Sequence, residues 1–161
     1  MKRNAVTNLI EWKESGTTVP FLLVGTKGTG KTYLAMEFAT AYYPQYLYVN
    51  FELNKSAKRF FEEKLSVGGS LSEVIAAYFQ MDERYLSELI VILDEISYCP
   101  MLWMALTEPV TIPLLVISGL LPSETDIISS STNSSSEEIV EKLIENIFWI
   151  CRLFPLGFDE F

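Results

Sequence analysis

The chain has 161 residues and a net charge of −9, with about half of its residues hydrophobic and a fifth charged. That length suits one domain with a buried core and is short for two. Only four arginines accompany the acidic balance, which makes the chain alone a poor nucleic-acid binder; the absence of histidine excludes Ser-His-Asp and Cys-His catalysis.

Along the chain, the opening "MKRNAVTNLIEWK" has two early basic residues and no apolar stretch of signal-peptide length. "PFLLV" (Pro20 to Val24) is an apolar run of strand length ending in glycine. From Lys31, "KTYLAMEFATAYY" places Leu34, Phe38 and Ala41 on one helical face, and Pro44 stops the helix. "YLYVNF" (Tyr46 to Phe51), aromatic and β-branched, predicts a second strand. Its Tyr46, Tyr48 and Phe51, like Tyr42 and Tyr43, read as core and strand packing, whereas Asn50 and Glu52 read as loop-capping, with Glu52 also able to line a site's edge. Two helical stretches follow, Ser56 to Leu65 and Leu71 to Phe79, separated by "GGS". "LIVIL" (Leu89 to Leu93) predicts a third strand ending in two acids, "MLWMAL" a short helix, and "PLLVIS" (Pro113 to Ser118) a fourth strand. The longest apolar run, Ile112 to Leu121, falls well short of the roughly 18 residues of a membrane span, and a cytoplasmic protein is expected. "SSSTNSSS" reads as a polar loop. A helix from about Glu137 to Glu145 then leads into a fifth strand in "IFWICRLF". Cys99 and Cys151 are too few and too far apart for a zinc site or a disulfide framework and read as buried thiols.

Strands that are unbroken apolar runs are buried on both faces, and their alternation with helices predicts an α/β fold with a mostly parallel sheet of about five strands between two helical layers. In that context Gly25 to Thr32, "GTKGTGKT", matches G-x-x-x-x-G-K-[ST] between strand and helix. Glycines let backbone N–H groups approach phosphate oxygens with no Cβ in the way, and the helix start directs its positive dipole end at the same anion. The stretch predicts a triphosphate cradle made by Gly25, Thr26, Lys27, Gly28, Thr29, Gly30, Lys31, Thr32 and Tyr33. Lys31 would reach the β- and γ-phosphates, and the Thr32 hydroxyl would bind Mg²⁺. Asp94 and Glu95 follow the third strand directly, Asp94 as the metal-side acid and Glu95 as the general base. Taken alone, such a pair also suits the cap and first turn of a helix. Ser118, ending the fourth strand before Gly119, is placed either to sense the γ-phosphate or to satisfy its own turn.

The run of segments "GTKGTGKTYLAMEFATAYY", "YLYVNFELN", "LIVILDEISYCPMLWMAL", "PLLVISGLL" and "CRLFPLGFDEF" resembles the prokaryotic AAA-type P-loop ATPases. These pair an N-terminal ATPase domain with a C-terminal winged-helix and nuclease-like region. The resemblance implies an AAA/ASCE-type three-layer sandwich, ATP and Mg²⁺ as ligands, Lys27 as the family's basic loop residue and Ser118 at its sensor position. It also implies one ATPase core over residues 1–161, stopping before the second region. Two features depart from the pattern: "IENIFW" lacks the basic residue that usually precedes the last strand, and the serine-rich segment is more monotonous than its counterpart. AAA-type sites are commonly completed by an arginine from a neighbouring subunit, for which Arg59, Arg84 and Arg152 are the candidates.

The leading expectation is therefore a Mg²⁺-dependent ATPase core, with self-association or a protein partner. The alternative is a non-hydrolysing nucleotide switch that controls a partner. A small-molecule kinase is disfavoured because the serine-rich segment offers no lid arginines, and a GTPase because no Asn-Lys-x-Asp or Asp-x-x-Gly motif occurs.

Overall fold

The computed structural model describes residues 2–122, 142 and 144–154. Five strands form one parallel sheet: β1 (Phe21–Val24), β2 (Tyr46–Asn50), β3 (Ile90–Asp94), β4 (Leu114–Ser118) and β5 (Trp149–Arg152), in the order β2-β3-β4-β1-β5. The expected α/β sheet is thus fully parallel. One strand, β4, stands between the strand before the glycine-rich loop and the strand ending in Asp94, the arrangement that the resemblance implies.

The unbroken apolar runs follow from burial on both faces. Phe21 and Leu23 of β1, Ile90 and Ile92 of β3, and Leu115 and Ile117 of β4 point to one side, where helices α1 (Lys2–Ser15) and α2 (Lys31–Tyr42) cover them. Leu22, Val91, Leu93, Leu114 and Val116 point to the other, against α3 (Lys55–Ser66), α4 (Leu71–Tyr78) and α5 (Met101–Ala105). Asn54 caps α3 by accepting from the Ala57 amide at 2.9 Å. Ser70 caps α4 in the same way through the Glu73 amide. Both caps satisfy N–H groups that have no partner within the helix.

Helix α1 carries no expectation from the sequence reading. Its Ala5, Leu9 and Trp12 recur at helical spacing and are buried. Trp12 donates its indole N–H to the Val19 carbonyl at 2.7 Å and meets Phe21 edge-on, with centroids 5.6 Å apart. The other predicted elements appear within one or two residues of their expected bounds, except that β5 is shorter than "IFWICRLF". Phe51 leaves β2 into a turn and packs edge-on against Phe61. Cys99 and Cys151 are free and buried, and burial pushes the Cys99 thiol up to about 12. The serine-rich segment and most of the helix expected around Glu137 to Glu145 lie outside the described residues, as does "PLGFDEF".

The topology also determines where a ligand can sit. The helix leaving β1 covers one face, while α5, after β3, and the helical residues 144–147, after β4, pack on the other. Chains leaving neighbouring strands β1 and β4 to opposite faces open a crevice at the carboxyl ends of those strands, the usual ligand position in open α/β sheets.

Candidate functional site

Every residue singled out by motif lies at that carboxyl edge. The loop Gly25 to Gly30 runs from β1 into α2, and Gly28 and Gly30 take φ of +85° and +83°, the left-handed backbone that favours glycine. Gly25 is required for a different reason. Its N–H donates to the Ser118 carbonyl at 3.2 Å, and a Cβ there would stand 2.7 Å from the Leu153 carbonyl oxygen and 3.0 Å from Thr29 Oγ1. Leu153 is itself held by its N–H on the Val24 carbonyl at 2.7 Å. The Gly25→Ala variant is therefore expected to lose about 1–3 kcal/mol, the usual cost of overpacking a close contact, read as a lowered urea-unfolding midpoint.

Lys31 is buried, 5% exposed. Its ammonium donates to the carbonyls of Gly25 at 2.5 Å and Thr26 at 2.9 Å. Burial lowers its pKa, opposed by the nearby carboxylates of Glu95 and Asp94. Thr29 Oγ1 donates to the Thr26 carbonyl at 2.8 Å and closes the loop on itself. Lys27 pairs with Glu52 at 2.9 Å, and Tyr98 donates to the same carboxylate oxygen at 3.0 Å. That exposed strap ties the loop to the ends of β2 and β3, and the Lys27 and Tyr98 bonds hold the Glu52 carboxyl below its ordinary value. Tyr33, next after Thr32, stands on the exposed side of α2.

Thr32 and Asp94, 62 residues apart, meet directly: Thr32 Oγ1 donates to Asp94 Oδ2 at 2.7 Å. The same oxygen accepts the Tyr48 hydroxyl at 2.5 Å. Asp94 is fully buried, and its Oδ1 has no hydrogen-bond partner among the described residues. A buried acceptor left so costs about 1–3 kcal/mol. A carboxylate and a hydroxyl oxygen are the hard donors that suit a hydrated Mg²⁺, so the residues present fit that ion.

Glu95 follows in the left-handed backbone region, φ +54°. This conformation is uncommon for a residue with a side chain and is concentrated at functional positions. Its carboxylate is half-buried and makes no hydrogen bond among the described residues. Burial raises its pKa, and the Asp94 charge adds to the rise. Ser118 is buried; its hydroxyl donates to the Leu120 carbonyl at 2.6 Å and accepts from the Leu120 N–H at 3.2 Å. This is the turn-satisfying arrangement, formed on a residue whose own carbonyl holds Gly25. Asn50 caps the loop after β2, as expected, through the amides of Glu52 and Leu53.

Tyr48 is the site residue that sequence reasoning placed in the packing instead. The signal was present in the strand ends. In a parallel pair that aligns Asn50 with Asp94, Tyr48 aligns with Ile92 and shares a sheet face with Asp94. Of the arginines, Arg84 pairs with Asp82 at 3.2 Å and lies over the Tyr85 ring. Arg59 is exposed on α3, and Arg152 is exposed at the end of β5 beside Val24.

Among known proteins, a family model described as an AAA domain matches residues 18–161. No curated protein matches the chain. Among solved structures, the crystal structure of the DnaC helicase loader is similar over 94% of this chain and 88% of its own, at 15% identity and a TM-score of 0.49.

Proposed function

Since the chain belongs to the AAA domain family, we propose that it binds ATP with Mg²⁺ at the carboxyl edge of its sheet and hydrolyses it to ADP and phosphate. Within the family, we read the chain as an ATPase core of the prokaryotic AAA type, and the quoted segments support that reading. The observation that carries the reading is the Thr32–Asp94 contact at 2.7 Å with Asp94 Oδ1 buried and unpartnered beside it. It joins the glycine-rich loop to the acid of the third strand at one point.

In this reading the amides from Thr26 to Tyr33 and the N-terminus of α2 receive the phosphates, while the Gly25 N–H stays on the Ser118 carbonyl. Lys31 spends its donors on two neutral carbonyls in this structure, and a β- or γ-phosphate offers it charged, stronger acceptors. Thr32 and Asp94 hold Mg²⁺, which when bound neutralises charge developing on the phosphate oxygens. Glu95, next to Asp94 and without a hydrogen bond of its own, takes a proton from the attacking water. The oxygen of that water bonds to the γ-phosphorus as the bond to the bridging oxygen breaks, and the electron pair leaves with ADP. Ser118, against Gly25, is the sensor; its hydroxyl must leave Leu120 to reach a phosphate. An arginine from a second copy or a partner completes the site, and the exposed Arg59 and Arg152 are better presented for that role than Arg84, which is paired.

A thermal-shift series with ATP, GTP and Mg²⁺, followed by a phosphate-release assay, tests the reading. ATP with Mg²⁺ is expected to raise Tm above either alone and above GTP, with phosphate released in proportion to enzyme. No shift with any nucleotide would refute it. Tight ATP binding with no phosphate release at any protein concentration would establish the non-hydrolysing switch instead.

A further inference from the structure

One donor at Asp94 is left unused by the phosphate-site reading. The Tyr48 hydroxyl lies 2.5 Å from Asp94 Oδ2, on the same oxygen that Thr32 contacts. Tyr48 is rooted in β2, in register with Ile92, and it reaches diagonally along the α2-facing side to the strand end. The phenol is fixed in turn: Asn50 Nδ2 donates to its oxygen at 3.3 Å. The Asn50 amide is itself oriented, because its Oδ1 accepts from the backbone N–H groups of Glu52 and Leu53.

We infer that Tyr48 is a positioning residue for Asp94, holding the carboxylate so that Oδ1 is presented to the Mg²⁺ site. A carboxylate turns easily about its last torsion, whose distribution is broad and two-fold. One donor from the loop side, Thr32, leaves that rotation open whenever the loop moves. A second donor from a sheet strand does not depend on the loop. With both donors on Oδ2, the carboxylate is held from the loop and from the sheet at once, and Oδ1 is the buried oxygen left without a partner. The chain Asn50–Tyr48–Asp94 thus sets the metal-side acid from the sheet, separately from the strap by which Glu52 holds Lys27.

This inference rests on the Mg²⁺ reading of the preceding subsection. Tyr48→Phe keeps the ring and removes only the hydroxyl. ATP binding by calorimetry, in EDTA and across a Mg²⁺ series, compares the variant with wild type. The Mg²⁺ concentration at half of the metal-dependent gain in affinity should rise about tenfold, equivalent to about 1.4 kcal/mol. Affinity in EDTA should stay within about twofold of wild type, a change of under half a kcal/mol. An unchanged Mg²⁺ requirement overturns the inference. Equal weakening with and without Mg²⁺ overturns it too and makes Tyr48 a structural support. A wild type whose ATP affinity ignores Mg²⁺ overturns the metal reading itself, and the inference with it. A nucleotide-free arm uses urea unfolding of Tyr48→Phe, Asp94→Ala and the double variant. The loss caused by removing the hydroxyl should fall by about half or more once Asp94 is gone, as expected for residues in direct contact. Equal losses in the two backgrounds would contradict the contact.

Discussion

Replacing Glu95 by glutamine is expected to lower ATP turnover by roughly 10²–10⁴-fold, the usual contribution of a positioned general base, while ATP affinity stays within a few-fold of wild type. The amide keeps the shape of the side chain and cannot take a proton. Because Glu95 makes no hydrogen bond among the described residues, nothing else in the site loses a partner. The same substitution is expected to stabilise the protein. Burial, and then the Asp94 charge, raise the Glu95 pKa above its ordinary 4.5. The folded state therefore holds the proton more tightly than the unfolded chain does, and ionisation opposes folding. At pH below 4.5 both states are protonated and this group contributes no penalty. As pH rises through the raised folded value, the penalty develops and then levels off. The melting temperature of the variant should thus exceed that of wild type near neutral pH, and the difference should shrink on acidification toward 4.5. Equal turnover in the two proteins would remove Glu95 from the mechanism.

Lys31→Ala is expected to weaken triphosphate binding by roughly a hundredfold or more, within the ~2–5 kcal/mol lost when one partner of a buried charge pair is truncated. Calorimetry with ATP measures it directly. The fold should persist. Lys31 takes no part in the two apolar clusters of the core, and one of its two acceptors, the Thr26 carbonyl, belongs to an exposed residue. Burial already lowers the lysine's pKa in the folded protein, so removing the charge relieves an unfavourable desolvation even as it forfeits two hydrogen bonds. A polyanion at the loop reverses that balance, and for this reason the loss should appear in affinity and not in stability. Unchanged ATP binding in this variant would defeat the cradle assignment.

The parts of the fold visible in the chain were those with a single physical cause. The runs "FLLV", "IVILD" and "LLVIS" are apolar throughout because both faces of a parallel sheet are covered, and the glycine-rich loop needs its residue types locally. Strand order was legible only through the resemblance, since pairing partners are set by packing across the whole sheet. Helix α1 was visible in principle from Ala5, Leu9 and Trp12, but a polar amphipathic start with no cap signal competes poorly with its neighbours. Tyr48 was hidden for another reason. Its ring is half-buried against the α2-side core, so packing accounts for the residue type, and only register reveals that the hydroxyl ends on Asp94. Ser118 shows the limit from the other side: the position was legible, and the partner of its hydroxyl, Leu120, depends on how the exit turn closes.

The contact between Gly25 and Leu153 ties the glycine-rich loop to the residue that follows β5. The first residue of the loop is wedged between Leu153, just past the last strand, and the Ser118 carbonyl, with no side chain to act as a cushion. A displacement of Leu153 is therefore expected to reach the loop backbone directly, and a ligand that stiffens the loop to restrain Leu153 in return.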